Sequence, residues 1–263
     1  MPSVEDKQYS LSSLRLLTVI ETLSETRTPM RLQDIAAKAH MSQSTVLRYL
    51  YALIEGNYVY QEEETSRYAL TWRLCKLSRN LNTQLSLRGI ASPYINDLAN
   101  TLMRGVCLVV EQDDSCFYLD CIDSPNSQTT QRIGKSAPLH VTASGKNLLS
   151  RRTDFQLNEY IKNIGLTQFT PHTITDAEAL RKEIVTVRQQ DYALDNEECE
   201  LGLKCISSPL RDYTGQVIAS ISVFGTIDDM DDDFLYPVVF PALKNATTSI
   251  SSKLGYVFPK QKH

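Results

Sequence analysis

Three stretches of this 263-residue chain carry side chains whose types and spacing could do chemistry. The first is Thr142-Ala143-Ser144-Gly145-Lys146. Its Gly-Lys pair suggests a phosphate loop. The Walker pattern, however, needs a glycine where His140 stands and a Ser or Thr where Asn147 stands, so it fails twice. The second is a set of possible nucleophiles. Cys205 with His140, or Ser144 with Lys146, could form a hydrolase pair, but nothing in the sequence brings either pair together. A buried cysteine and a loop histidine explain the same residues without catalysis. The third is the acidic run Asp195, Glu197, Glu198 and Glu200. A metal would need their oxygens to converge, and a solvated loop is the simpler expectation. A binding role fits better. Thr142 to Gly145 opens a helix, where free backbone N–H groups and the dipole favour an anion. A small carboxylate could dock there, with Asp195 and Ser222 reading its hydroxyl or keto groups. No catalytic residue, metal or cofactor is expected.

These residues must be positioned by a chain of ordinary composition. Hydrophobic residues make up 42% and charged residues 22%, and the net charge is −4. Such a chain has enough apolar surface for a sizeable core in one or two domains. It is not globally basic, so any nucleic-acid binding must rest on local charge. The first 84 residues are nearly balanced and slightly basic, and the remainder is acidic. The N-terminal MPSVEDKQYS lacks an apolar stretch, and no run approaches the roughly 20 apolar residues of a membrane helix. A cytoplasmic protein without membrane contact is expected. The six cysteines (Cys75, Cys107, Cys116, Cys121, Cys199 and Cys205) are then expected to be reduced, and none are spaced as C-x2-C.

The N-terminal third reads as a winged helix-turn-helix. Leu11, Leu14, Leu17, Ile20 and Leu23 mark an amphipathic helix behind a Ser10 cap. A second helix spans about Leu32 to Ala39, with small Ala36 allowing a steep helix crossing. His40-Met41-Ser42 makes the turn, and His40 tolerates a positive φ better than a bulky or branched residue. Ser42 caps a third helix whose Val46, Leu50, Leu53 and Ile54 face inward. Its N-terminal end is the part that enters a major groove. Gln43 suits adenine, Arg48 suits guanine or phosphate, and the hydroxyls of Ser42, Ser44 and Thr45 suit phosphates or base edges. Two short strands flank the acidic turn Glu62 to Arg67. Glu62, Glu63 and Glu64 would repel phosphate, so Arg67, with the hydroxyls of Thr65 and Ser66, is expected at the backbone. Arg31 completes the set of expected DNA contacts. Trp72 to Thr83 then reads as a linker helix.

The remainder alternates strands and helices irregularly around hairpins, which implies an α+β architecture. A helix from Ser86 to Met103 must accommodate Pro93. Strands are expected at Val106–Val110, Cys116–Cys121, Thr129–Ile133, Leu203–Pro209 and Val217–Phe224, with Tyr192–Leu194 extended. Gly134 to His140 reads as a loop, and Asp212 to Gly215 as a hairpin turn. Helices are expected from Thr142, over Asp176–Gln190 and over about Val238–Leu254.

The run QDYALDNEECELGLKCISSP resembles the signature of the IclR family of bacterial transcriptional regulators. Tyr192, Asp195, Glu197, Glu198, Gly202, Cys205 and Pro209 carry that resemblance. Pro138-Leu139-His140, Gly145-Lys146, and Leu166-Thr167 with Thr170, Thr173 and Thr175 extend it. Asp191, where glycine is usual, and Phe224, where some members have a small polar residue, depart from the pattern. The resemblance implies a DNA-binding domain over 1–71, a linker helix over 72–85, a GAF-like effector domain over 86–255 and a tail over 256–263. It implies operator DNA and a small carboxylate, such as a sugar acid or oxoacid, as partners. It also implies a homodimer or a homotetramer built as a dimer of dimers. Asn126, Thr129, Thr142, Ala143, Ser144, Gly145, Asp195, Cys205, Ser222 and Phe224 would line the effector pocket. The expected function is a ligand-responsive repressor of a catabolic operon. The alternative is a DNA-binding thiol redox sensor using Cys199 and Cys205.

Overall fold

The structure, a computed structural model, describes residues 11–26, 28–74, 86–123 and 132–259. The chain divides into two units, Met1–Leu85 and Ser86–His263. Most of the expected linker helix lies outside the described residues.

In the first unit, α1 (Leu11–Ser24), α2 (Leu32–Lys38) and α3 (Gln43–Glu55) precede the hairpin of β1 (Val59–Gln61) and β2 (Tyr68–Leu70). Met30 bridges Tyr68 on the far side of β2. Val19, Leu23, Ile35, Val46, Leu50 and Leu53 meet in the core with Ala36 at the close helix contact. Tyr49 is buried with them, whereas Ile54 is only partly covered. His40 takes φ 52°, the left-handed turn expected of it.

One expectation about α1 fails. Leu11, Leu14 and Leu17 are 66%, 50% and 51% exposed. The helix instead buries Val19 and Leu23 and packs Leu16 and Ile20 beside them. Its leucines form two stripes rather than one, and the short α2 and α3 can cover only one of them.

The second unit is a six-stranded antiparallel sheet between two helical layers. Its strands are β3 (Gly105–Gln112), β4 (Ser115–Ile122), β5 (Ser136–Pro138), β6 (Ala193–Asn196), β7 (Leu203–Arg211) and β8 (Val217–Thr226). They lie in the order β5-β4-β3-β8-β7-β6. The period-two alternation of a strand sends neighbouring residues to opposite faces. Val106 and Leu108 of β3 join Ile206, Ile221 and Val223 under α4 (Leu87–Leu102) and the C-terminal helix. Cys107 and Val109 join the other core, under α5 (Ala143–Ser150), α6 (Asp154–Ile164) and α7 (Ala177–Gln190). The C-terminal helix begins with one wide turn, Leu235–Val239, and continues as α8 (Phe240–Lys253). Pro93 is held inside α4.

Several expectations are corrected here. Ser136–Pro138, read as loop, pairs with Ser115–Phe117 as an edge strand. Helix α6 was not anticipated, although Thr153 and Gln156 form a capping box at its start. The expected strand at Thr129–Ile133 lies outside the described residues except for its end, where Ile133-Gly134 turns toward β5. The cysteines are not all free. Cys107 and Cys121 face each other across β3 and β4 and are joined as a disulfide, because the antiparallel register makes them direct neighbours. Asp191, at the usual glycine position, closes α7 at φ 60°. Its carboxylate is held by Arg211 at 2.7 Å and by Lys244, so partners offset the unfavourable backbone region.

Candidate effector cavity and DNA-reading face

The second core is interrupted near the start of α5. A small cavity of about 10 Å³, room for about one water, lies there, lined by Tyr118, Arg132, Thr142, Ala143, Ser144, Asp195, Cys205, Ser222 and Phe224. Thr142 caps α5 by accepting the Gly145 N–H at 3.0 Å. The first-turn N–H groups of a helix have no intrahelical acceptor, so this end of the cavity favours negative charge. Ser144 Oγ is buried there without a hydrogen-bond partner.

The sheet supplies the floor. Antiparallel register sets Asp195 beside Cys205, and Cys205 beside Phe224. Phe224 in turn lies opposite Gly105. A Cβ on Gly105 would fall 2.2 Å from the Phe224 ring, so the ring occupies the place of a side chain on β3. Arg132 lies over that ring at 4.6 Å and near Tyr118 at 6.0 Å. Its nearest carboxylate is Glu200, at 3.8 Å.

Asp195 is 2% exposed. Burial pushes its carboxyl up to about 7, against the opposing help of the Glu198 and Cys199 N–H groups at 2.8 and 3.2 Å. The site therefore holds a group that changes charge near neutrality. The rest of the acidic run diverges. Glu197 accepts the Gly202 N–H, Glu200 faces Arg132, and Glu198 accepts from Lys146 at 2.5 Å. The Lys146 ammonium also reaches Glu183 at 3.2 Å and the Leu194 carbonyl at 2.9 Å. It is a buried brace behind the cavity. The threonine-spaced segment braces the same loop, with Thr170 and Thr173 donating to the carbonyls of Glu197 and Glu198, each at 2.6 Å.

Most of the expected pocket residues come together. Thr142, Ala143, Ser144, Asp195, Cys205, Ser222 and Phe224 share the cavity. Gly145 does not line it. A Cβ there would meet the Leu139 carbonyl oxygen at 2.1 Å, so the glycine serves close backbone packing. Gly145→Ala should lower the unfolding free energy by about 2–4 kcal/mol in a urea titration. Asn126 and Thr129 lie outside the described residues. Tyr118 and Arg132 were missed. Tyr118 follows from strand alternation with Cys116, but no local pattern marks Arg132. The hydrolase pairings do not form. His140 is bound by Tyr160 Oη and the Thr167 carbonyl, both at 3.1 Å, and Lys146 is committed as above.

In the first unit, the Ser42 hydroxyl accepts the Thr45 N–H at 3.3 Å and meets the hydroxyls of Ser44 and Thr45. Gln43, Ser44 and Arg48 are exposed on α3, and the Arg48 guanidinium rests 5.4 Å from the Tyr49 ring. Arg31 is exposed before α2, and Arg67 is half-buried at the base of the wing. The wing tip is Glu63-Glu64-Thr65, and Thr65 donates to Glu62 at 2.5 Å.

The model of the IclR helix-turn-helix domain matches residues 12–63, and that of the bacterial transcriptional regulator IclR C-terminal domain matches residues 80–252. The chain belongs to the IclR family. Its N-terminal unit is therefore a DNA-binding helix-turn-helix domain and its C-terminal unit an IclR effector-binding domain. The HTH-type transcriptional regulator KdgR of Dickeya chrysanthemi is 35% identical over 95% of this chain and 83% of its own length. Among solved IclR-family structures, Thermotoga maritima IclR is 27% identical, with a TM-score of 0.62 over 93% of this chain and 99% of that one. The inducer-binding domain of a PobR double mutant from Acinetobacter, solved with 3-hydroxybenzoic acid, is 27% identical. It covers 64% of this chain and 98% of its own, with a TM-score of 0.60.

Proposed function

We propose that this IclR-family regulator is a repressor of catabolic genes whose operator binding is controlled by a small carboxylate held in the Asp195 cavity. The observation that carries the reading is the buried, unpartnered Ser144 hydroxyl at the start of α5. A carboxylate there meets helix N–H groups, while Asp195 and Ser222 address its hydroxyl or keto groups. The acid bound by the PobR domain supports the same ligand class. The linkage is thermodynamic: an effector that prefers one arrangement of the oligomer shifts the population and so the DNA affinity.

Arg31, Ser42, Gln43, Ser44, Thr45, Arg48 and Arg67 are the proposed DNA contacts. The exposed stripe of Leu11, Leu14 and Leu17 supports pairing with a second copy, as a homodimer or a dimer of dimers. No described helix is long and apolar enough to cross a membrane, which agrees with a proposed cytoplasmic operator partner. The Cys199–Cys205 redox reading loses support. Burial pushes the Cys199 thiol up to about 11 and the Cys205 thiol well above its ordinary value, so neither supplies a thiolate at neutral pH.

A mobility-shift titration on the chain's own upstream DNA tests the DNA half. Arg48→Ala should weaken binding about tenfold or more; unchanged binding refutes the contact assignment. A thermal-shift screen over sugar acids, oxoacids and aromatic acids tests the effector half. The expected result is a ligand that raises Tm, loosens the DNA complex and loses both effects in Asp195→Ala. Ligands that bind Asp195→Ala as tightly as the parent chain refute the cavity.

A further inference from the structure

Among the described residues the cavity wall carries one cation, Arg132, which no local pattern marks. We infer that Arg132 is the specificity-determining anchor for the effector's carboxylate, and that Glu200 competes with the effector for it. This rests on the effector reading above and deepens it.

Arg132 reaches into the cavity wall from the segment before β5, and its side chain is only 15% exposed. Its guanidinium carbon lies 4.6 Å from the centre of the Phe224 ring, a cation–π contact that holds the group at the cavity wall. A planar fork of donors is the group that matches a carboxylate with two parallel hydrogen bonds. The carboxylate it has among the described residues is Glu200, at 3.8 Å, beyond hydrogen-bond length, and the Tyr118 side chain is a second polar neighbour. Glu200 is itself 62% exposed, so water can take over its solvation. A pair this long and this wet is readily exchanged for a desolvated, bidentate one.

The other charges near the cavity are spoken for. Lys146 is enclosed by Glu183, Glu198 and the Leu194 carbonyl. The α5 N-terminus offers partial charge only. Arg132 is thus the full positive charge available to a ligand among the described cavity residues. With its carboxylate between Arg132 and the α5 N-terminus at Ser144, a ligand would present its hydroxyl or keto group to Asp195 and Ser222. That arrangement selects hydroxy or keto monocarboxylates over uncharged analogues.

The test is isothermal titration of the full chain with pyruvate, D-gluconate and 3-hydroxybenzoate, each beside its primary amide. The parent chain should bind at least one acid and prefer it to the amide. Arg132→Ala should weaken that acid about 10- to 100-fold and abolish the preference for acid over amide. A merely structural role would weaken both forms alike. Arg132→Lys should keep part of the preference, and it serves as the second variant if Arg132→Ala melts early. Glu200→Gln should tighten binding of the acid in the parent background and change nothing in Arg132→Ala. If Arg132→Ala keeps the parent affinity and preference while Ser144→Ala and Asp195→Ala lose affinity, the Arg132 assignment falls and the cavity reading stands. If the parent chain binds none of the acids, both fall.

Discussion

Replacing Lys146 with alanine is expected to lower the unfolding free energy of the effector unit by about 3–5 kcal/mol, the usual cost of orphaning a buried charge. The ammonium is 1% exposed and holds Glu198, Glu183 and the Leu194 carbonyl at once. Removing it leaves the Glu198 carboxylate buried with no counter-charge, and one Glu198 oxygen lacks a partner even with the lysine present. Burial already raises the Glu198 carboxyl, although Lys146 opposes that shift. In Lys146→Ala the carboxyl should rise further and take up a proton near neutrality. The check is urea unfolding at pH 5 and pH 8. The loss should be larger at pH 8, where the orphaned carboxylate must be charged or pay for a proton. A loss under 1 kcal/mol at both values would mean that the loop around Glu198 relaxes freely into water.

The second large effect concerns pH and Asp195. Its carboxyl is raised to about 7 in the folded chain, from the ordinary aspartate value of about 4. Below about 4 both folded and unfolded forms are protonated. Between about 4 and 7 only the unfolded form releases its proton, so the folded form binds more protons and stability falls as pH rises through that window. The fall approaches roughly 4 kcal/mol by pH 7. Asp195→Asn keeps the Oδ1 acceptor for the Glu198 and Cys199 N–H groups and should remove this decline. Binding follows the same proton. Lys146, Glu198, Arg132, Cys199 and Cys205 face Asp195, and an ionised Asp195 adds a negative charge beside the ligand's own. Effector affinity should fall about tenfold per pH unit above pH 7, the slope for uptake of one proton. Asp195→Asn should flatten that slope, and a parent profile already flat from pH 6 to 9 would refute the proton's role.

What the sequence made legible was whatever repeats locally. Helix starts were read at Ser42, Ser86, Thr142 and Asp176, and each of these side chains caps its helix by accepting a first-turn backbone N–H. Apolar runs marked β3, β4, β7 and β8, which form the centre of the sheet. Edge elements were harder. Three-residue β5 has too few positions to show a period. The leucines of α1 satisfied two helical faces, and only the dimensions of α2 and α3 decide which is covered. At the cavity, residues clustered in one motif were legible because the β6–β7 hairpin and the α5 cap assemble themselves. Arg132 was not, because its place depends on a ring, Phe224, nearly a hundred positions away and on another strand. The disulfide was missed for the same reason: Cys107 and Cys121 meet only through register.

The Phe224 ring seated on Gly105 has a consequence for how such a chain can change. The two positions share one allotment of volume across adjacent strands. A small residue at 224 would empty the space over β3 as well as enlarge the cavity, and a side chain at 105 alone has nowhere to go. Ligand size in this lineage can therefore drift smoothly only by coordinated substitution, the strand gaining bulk as the ring is lost. Selections for bulkier effectors that randomise position 224 by itself should stall, whereas libraries that vary 105 and 224 together should yield folded, enlarged receptors.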